Sequence, residues 1–348
     1  MSVTEAPPVA KHPGETKTSW WKGDRSEPVR RNLGLVGVLV ALVVIGAVTR
    51  PELYGDASWV QNNVLTILQQ ASAIGVITVG MTFVIIGGGI DLSVGAIVAL
   101  AGVWATTLAT QSYGAGGMIF TAIAVGVGVG LVNGLLISYG RLVPFIATLA
   151  MMVAARGLAA QISGKQTQVS ANSVINDIAS TRVLGIPLLV YILAAVVAAG
   201  WVLLNRTTFG RRTVAVGGNP EAARLAGINV RRHTVLLYAL SGLCCGIGAI
   251  MLTSQATSAQ AAMANLYELD AIAAAIIGGT LLSGGRGTII GALFGVLVFS
   301  TITNLFAINN LSTEVQNMVK GGIIVAAVLI QQFRYKSLTN LFSRVKTG

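Results

Sequence analysis

The sequence predicts an all-α fold, a polytopic transmembrane helical bundle of about ten spans built as two structurally similar halves. Three observations carry this expectation. Hydrophobic residues fill 54% of 348 positions and charged residues only 10%, against about 25% charged in a soluble domain. Too few polar groups exist to cover a water-facing surface. Ten apolar runs also approach the ~20 helical residues that cross a ~30 Å hydrocarbon core. Finally, most Lys and Arg residues fall in three blocks between those runs, as basic residues held on the cytoplasmic side do. That sorting accounts for the net charge of +11, so no nucleic-acid partner is expected and the lipid bilayer is.

Residues 1–32 read as a polar, disordered cytoplasmic tail with six basic residues, including Arg31, and no cleavable signal. The runs follow at 33–49, 64–87, 92–110, 117–139, 143–162, 186–204, 234–255, 268–283, 289–308 and 317–333. The transmembrane domain therefore covers 33–333, and 334–348 is a basic cytoplasmic tail. Only Gly88, Gly89, Ile90 and Asp91 separate the second run from the third. The pair reads as two plain spans or as one broken, re-entrant element. The second basic block, 205–233, carries six Lys/Arg, and the third carries four. Six runs lie between the first and second blocks and four between the second and third. Both numbers are even, so all three blocks can share one side and both termini are expected in the cytoplasm. Segments 163–185 and 256–267 then fall outside.

Glycines, 42 in all, are spread through the runs. Gly126, Gly128, Gly130 and Gly134, and the pair Gly291 and Gly295, read as sites of close helix packing, which in lipid depends on small residues. Two stretches look alike. Ile85-Ile86-Gly87-Gly88 leads into a polar turn and a new apolar run, as does Ile276-Ile277-Gly278-Gly279. Paired interruptions of this kind point to a transport pathway in repeat-built transporters. Cys244 and Cys245 are adjacent within an apolar run, and His12 and His233 stand alone. No disulfide framework, metal site or cofactor is expected.

The block 205–233 is the longest predicted cytoplasmic loop, and within it a short helix is spelled out. Asn219 suits the N-cap and Pro220 the first helical position. Glu221 complements the positive end of the helix dipole. Ala222, Ala223, Arg224 and Leu225 favour helix, and Gly227 suits a left-handed stop. A helix this short is unstable alone in water, so it must dock, either on the underside of its own bundle or on a partner.

Together with this loop, Gly80–Gly95, Val143–Leu149, Ala155–Leu158, Ala274–Gly279 and Gly284–Thr288 resemble the permease subunit of bacterial ABC importers for ribose, xylose and related monosaccharides. The resemblance covers roughly 60–335. It implies an inner-membrane permease working with an ABC ATP-binding subunit, an extracytoplasmic sugar-binding protein and a second permease copy, identical or paralogous. It also implies that Asn219–Gly227 couples to the ATPase.

Charges at bilayer depth are costly and are functional candidates by default. Asp91 reads as the N-cap of the run beginning at Leu92, in a solvated turn, or as a substrate contact. Arg156 is expected to face the bundle interior. Glu268 and Asp270 are expected at the outer rim. Asp91, Ser93, Asn133, Phe145, Thr148 and Asn304 are the candidate solute pathway, with Gln161 and Thr303 as further polar positions. Each also reads as an interhelical hydrogen-bonding group. The sequence has neither a phosphate-binding GxxxxGK[ST] loop nor a catalytic constellation, so the chain is not expected to be an enzyme. A nucleoside, amino acid or furanosyl signalling solute within the same superfamily, and an ion-driven secondary transporter, are the competing readings.

Overall fold

The computed structural model describes residues 26–344. Residues 1–25 of the expected N-terminal tail and 345–348 of the C-terminal one lie outside the described residues. Helix α1 (Ser26–Thr49) starts inside the stretch expected to be disordered, so 26–32 are helical. Pro51 opens the single turn α2 (Pro51–Tyr54). The side chain of Asp56 then accepts the Ser58 N–H and starts α3 (Ala57–Ile86), of 30 residues. Next come α4 (Val94–Ala105), α5 (Leu108–Gln111), α6 (Gly114–Ser138) and α7 (Pro144–Ile162).

After α7 come strand β1 (Gln168–Val169), helix α8 (Ser173–Ser180) and a hairpin of β2 (Arg182–Val183) and β3 (Ile186–Pro187). The chain continues as α9 (Leu188–Arg206), α10 (Thr208–Gly218), α11 (Pro220–Leu225) and α12 (Val230–Ala256). Strand β4 (Ser258–Ala259) and helices α13 (Tyr267–Ile277), α14 (Ile289–Ile308) and α15 (Thr313–Arg344) complete it. β1 and β4 pair antiparallel, Gln168 opposite Ala259. The two segments expected outside are thus joined to each other.

Among the described residues, seven helices are long and apolar enough to cross a membrane: α1, α3, α6, α7, α9, α12 and α14. Two of the ten expected spans are shorter than the apolar runs suggested. The run 92–110 yields only the 12 residues of α4, about 18 Å of helix. It stops because the backbone turns extended at Thr107, whose hydroxyl caps the next turn, α5. The run 268–283 yields the 11 residues of α13, since the backbone reverses at Gly278 and Gly279.

α3 and α12 supply much of the core, with the faces of Val76, Phe83, Ile86, Leu237, Cys244 and Met251 packed together. α6 lies along α12 on a glycine seam. A Cβ at Gly126, Gly130 or Gly134 would run into the backbone of Gly242, Tyr238 or Val235 respectively. Gly128, read with them from sequence, has open space around it. Spacing explains the difference: positions four apart share a helix face and Gly128 leaves it. Gly291 and Gly295 of α14 likewise meet the carbonyls of Gly278 and Ala274 at the end of α13.

Candidate functional site

The two similar stretches end their helices in the same way. At the end of α3, Gly88 N–H donates to Ile85 O at 2.9 Å and Gly89 N–H to Val84 O at 2.9 Å. At the end of α13, Gly279 N–H donates to Ile276 O at 2.8 Å and Thr280 N–H to Ala275 O at 2.9 Å. This paired pattern is the Schellman stop, which needs a left-handed residue. Gly88 and Gly279 supply it, with φ of 83° and 86°. The two breaks touch, because Gly285 N–H donates to Ile86 O at 2.8 Å. Arg31, counted from the sequence only as part of a basic block, lies across the second break. Its Nη2 donates to Thr288 Oγ1 at 2.9 Å.

The first break holds most of the residues expected on a solute pathway. Asp91 is fully buried. Its Oδ1 accepts from the Ser93 backbone at 3.0 Å and from the Ser93 hydroxyl, and its Oδ2 accepts from Ser241 Oγ at 3.1 Å. It therefore closes the turn before α4 without being the N-cap, a position that Ser93 takes, and it is enclosed where a solvated turn was one expectation. Asn133 Nδ2 donates to Ser93 Oγ at 2.8 Å. The neighbouring Ile90 carbonyl accepts from Tyr238 Oη at 3.1 Å and from Thr148 Oγ1 at 3.4 Å. One interrupted segment is thus tied to α6, α7 and α12. Tyr238 and Ser241 were not singled out from sequence. Their signal was faint: two polar groups three apart on one face of an otherwise apolar run.

The remaining candidates lie elsewhere. Phe145 is half exposed on α7, and Asn304 donates to Asn63 Oδ1 at 3.0 Å between α14 and α3. The Arg156 guanidinium points inward and donates to the carbonyls of Ala261, Met263 and Ala264, fixing the loop before α13. Glu268 is buried rather than solvated, and its Oε2 has no hydrogen-bond partner among the described residues. Asp270 pairs with Lys320 of α15 at 3.1 Å. That ion pair stands in the wall of a cleft of about 290 Å³, lined also by Gln70, Tyr267, Phe299, Ser300 and Thr303. The volume is close to the lower end of small-ligand sites. The lining combines aromatic faces with hydrogen-bonding groups.

The loop helix forms as its residues specify. Asn219 Oδ1 accepts from Ala222 N–H at 3.0 Å, and Pro220 is the first helical residue of α11. Gly227 N–H donates to Arg224 O and Ile228 N–H to Ala223 O, each at 3.0 Å, again a Schellman stop. Glu221 and Arg224 pair at 3.0 Å with both side chains largely in solvent, which adds little stability. Only Ala223 of this helix is buried, while Leu225 is 80% exposed. The preceding α10 is anchored from beneath. Thr213 Oγ1 lies 2.9 Å from His233 Nε2, and the Phe209 ring packs tilted on His233 at 4.7 Å. α10 and α11 therefore form a bracket attached to α12, with an apolar side chain left facing outward.

Comparison with known proteins gives a consistent answer. The family model described as "branched-chain amino acid transport system / permease component" matches residues 63–328. A ribose import permease protein of Bacillus subtilis is 41% identical over 308 residues, covering 87% of this chain and 94% of that one. The ribose import permease protein of Escherichia coli K12 is 37% identical over 300 residues, 85% and 92% of the two chains. An L-arabinose ABC transporter permease protein of Azospirillum brasilense is 36% identical over 302 residues, 86% and 87%. No solved structure gives a significant match.

Proposed function

The chain belongs to this permease family, and from that premise we propose that it is the membrane-spanning subunit of an ATP-binding cassette importer carrying a ribose- or xylose-like monosaccharide across the bacterial inner membrane. It is a transport component and not an enzyme. Hydrolysis of ATP falls to a separate ATP-binding subunit, and a substrate-binding protein delivers the solute. The observation that carries this reading is the extent of the similarity. It runs through nearly the whole membrane part and reaches permeases named for sugars.

Several finer features belong to the same proposal. Ten crossings result if α4 and α13 cross together with the extended backbone at their breaks and α15 forms the last span. The matching Schellman stops of α3 and α13 support two similar halves. Ten crossings put both termini on one side, and the basic blocks make that side the cytoplasm, with 1–32 and 334–348 as flanking segments and 205–233 as the coupling loop. A second permease copy completes the pathway, and Phe145 lies on an exposed apolar face of α7 together with Ile146 and Val153. Sugar hydroxyls find their partners along the cleft of Gln70, Asp270, Ser300 and Thr303, with Asn304 close by in sequence on the same helix. Asp91, Ser93, Asn133 and Thr148 hold the break at the far end of α3 in place.

Coupling to the ATPase rests with Asn219–Gly227. The support is a short helix with both ends capped, tethered by Ala223 and exposing Leu225. A helix too short to stand alone that leaves Leu225 outward has an apolar group free to fill a partner's groove. Leu225→Asp is expected to weaken association with the ATP-binding subunit by about 2 kcal/mol or more. Co-purification from detergent-solubilised membranes should fall by about thirtyfold, while the permease itself stays folded because the side chain faces solvent. Undiminished co-purification would remove α11 as the docking element. For the function as a whole, proteoliposomes carrying the permease, its ATPase and the binding protein should take up labelled ribose only when ATP is enclosed with the ATPase. Uptake that persists without ATP would overturn the importer reading.

A further inference from the structure

The backbone of the loop helix's own bracket enters the junction of the two helix breaks, and its deepest point is Gly217. It is buried at the end of α10, two residues before the Asn219 cap of α11. A Cβ placed on Gly217 would collide with the Ile86 carbonyl oxygen and lie 2.7 Å from the Gly285 nitrogen. Those two atoms are the acceptor and the donor of the hydrogen bond that joins the breaks.

The contact is reciprocal. A Cβ on Gly284 would stand 2.8 Å from the Gly217 carbonyl oxygen and 2.9 Å from the Gly88 Cα. A Cβ on Gly285 would stand 2.9 Å from the Gly218 Cα. Three segments far apart in sequence therefore meet backbone to backbone, with no side chain between them.

Such a junction differs from ordinary side-chain packing. Side chains change rotamer and let neighbouring helices slide, whereas peptide groups in contact have no soft torsion to absorb a displacement. We propose that Gly217 is the positioning residue of a rigid joint, through which a displacement of α11 is delivered directly to both interrupted helices. This rests on the reading of α11 as the coupling element. ATP-driven movement of that helix would then reach the break next to Asp91 and the break before α14 at the same time, as one body.

The chain supplies its own control. Gly217 and Gly218 are adjacent in α10, neither has a positive φ, and a Cβ on Gly218 meets nothing within 4 Å. Alanine suits a helix better than glycine at either position, so only the contact distinguishes them. In proteoliposomes containing the complete importer, G217A should lower sugar transported per ATP hydrolysed by about tenfold, within the usual span of coupling between sites. ATPase co-purification should be retained. G218A should stay within about twofold of the unmodified protein, as exposed substitutions generally do.

If G217A transports as well as G218A, the joint is wrong. Should G217A fail to assemble, amide hydrogen exchange in the unmodified complex decides instead. A rigid joint keeps the hydrogen bond from Gly285 N–H to Ile86 O throughout, so exchange of the segment around Gly285 should be alike with and without ATP. Faster exchange with ATP would mean that the segments part, and would overturn the proposal. ATP-independent uptake by the unmodified complex would count against the importer reading and not against the joint.

Discussion

Asp91→Ala is expected to destabilise the purified permease by about 3 kcal/mol or more, because three buried donors lose one acceptor group at once. The Ser93 N–H, the Ser93 hydroxyl and the Ser241 hydroxyl all point at this carboxyl group. Each buried donor left unsatisfied costs roughly 1–3 kcal/mol, and no solvent reaches the site to replace the lost bonds. Asp91→Asn is the informative partner. Its amide oxygen can still accept from Ser93, and the Ser241 hydroxyl can turn to accept from its NH₂. The cost should fall to about 1 kcal/mol. Thermal unfolding in one detergent would compare the two. Equal midpoints for Ala and Asn would remove the network as a source of stability. Transport should suffer in the same order, since the break that Asp91 holds adjoins the second break through Gly285.

Gly242→Val should separate α6 from α12 and lose the folded bundle. A Cβ at Gly242 would run into the Gly126 carbonyl oxygen and lie 2.8 Å from its carbon. The obstacle is backbone, so no rotamer change relieves it, and the helices must move apart along a seam continued by Gly130 and Gly134. Overpacking where side chains can yield costs about 1–3 kcal/mol, and a backbone clash belongs at or above the top of that range. In lipid the loss is not offset by a hydrophobic force pressing the helices together. Gly128→Ala is the control on the same helix, where the new methyl meets open space and gains about 1 kcal/mol of helix propensity. Membrane abundance and monodispersity after solubilisation should collapse for the first variant and hold for the second. Similar behaviour of both would mean that the glycine seam does not set the packing.

The features most legible in sequence are those whose physics is local. α11 was readable residue by residue, because an Asn cap, a proline in the first turn and a left-handed glycine each act within a few positions. The resemblance of the two interruptions had the same origin. Ile85–Gly88 and Ile276–Gly279 carry the same stop signal and adopt the same hydrogen-bond pattern. Helix length was less legible. The apolar run continues past Ala105, yet α4 stops there, because Thr107 is extended and spends its hydroxyl as the N-cap of α5.

The candidate pathway illustrates the same limit. Ser93, Asn133 and Thr148 were chosen only as polar groups in apolar runs. The structure places them with Asp91 around one break, and leaves Phe145 and Asn304 apart. The partners that complete the arrangement, Tyr238 and Ser241, lie about 150 residues away. No short-range pattern could have linked them to the break.

By itself the sequence determined that this chain lives in lipid, that two of its apolar runs are interrupted at matching glycine stops, and which loop carries a capped helix. Those follow from burial preference and from bonds within a turn or two of chain. Only the tertiary structure decided which glycines are contacts and which are free, that Asp91 is enclosed, and that Gly217 meets both breaks. Such facts depend on backbones from distant segments arriving within van der Waals distance, and a glycine is spelled the same whether or not a neighbour arrives.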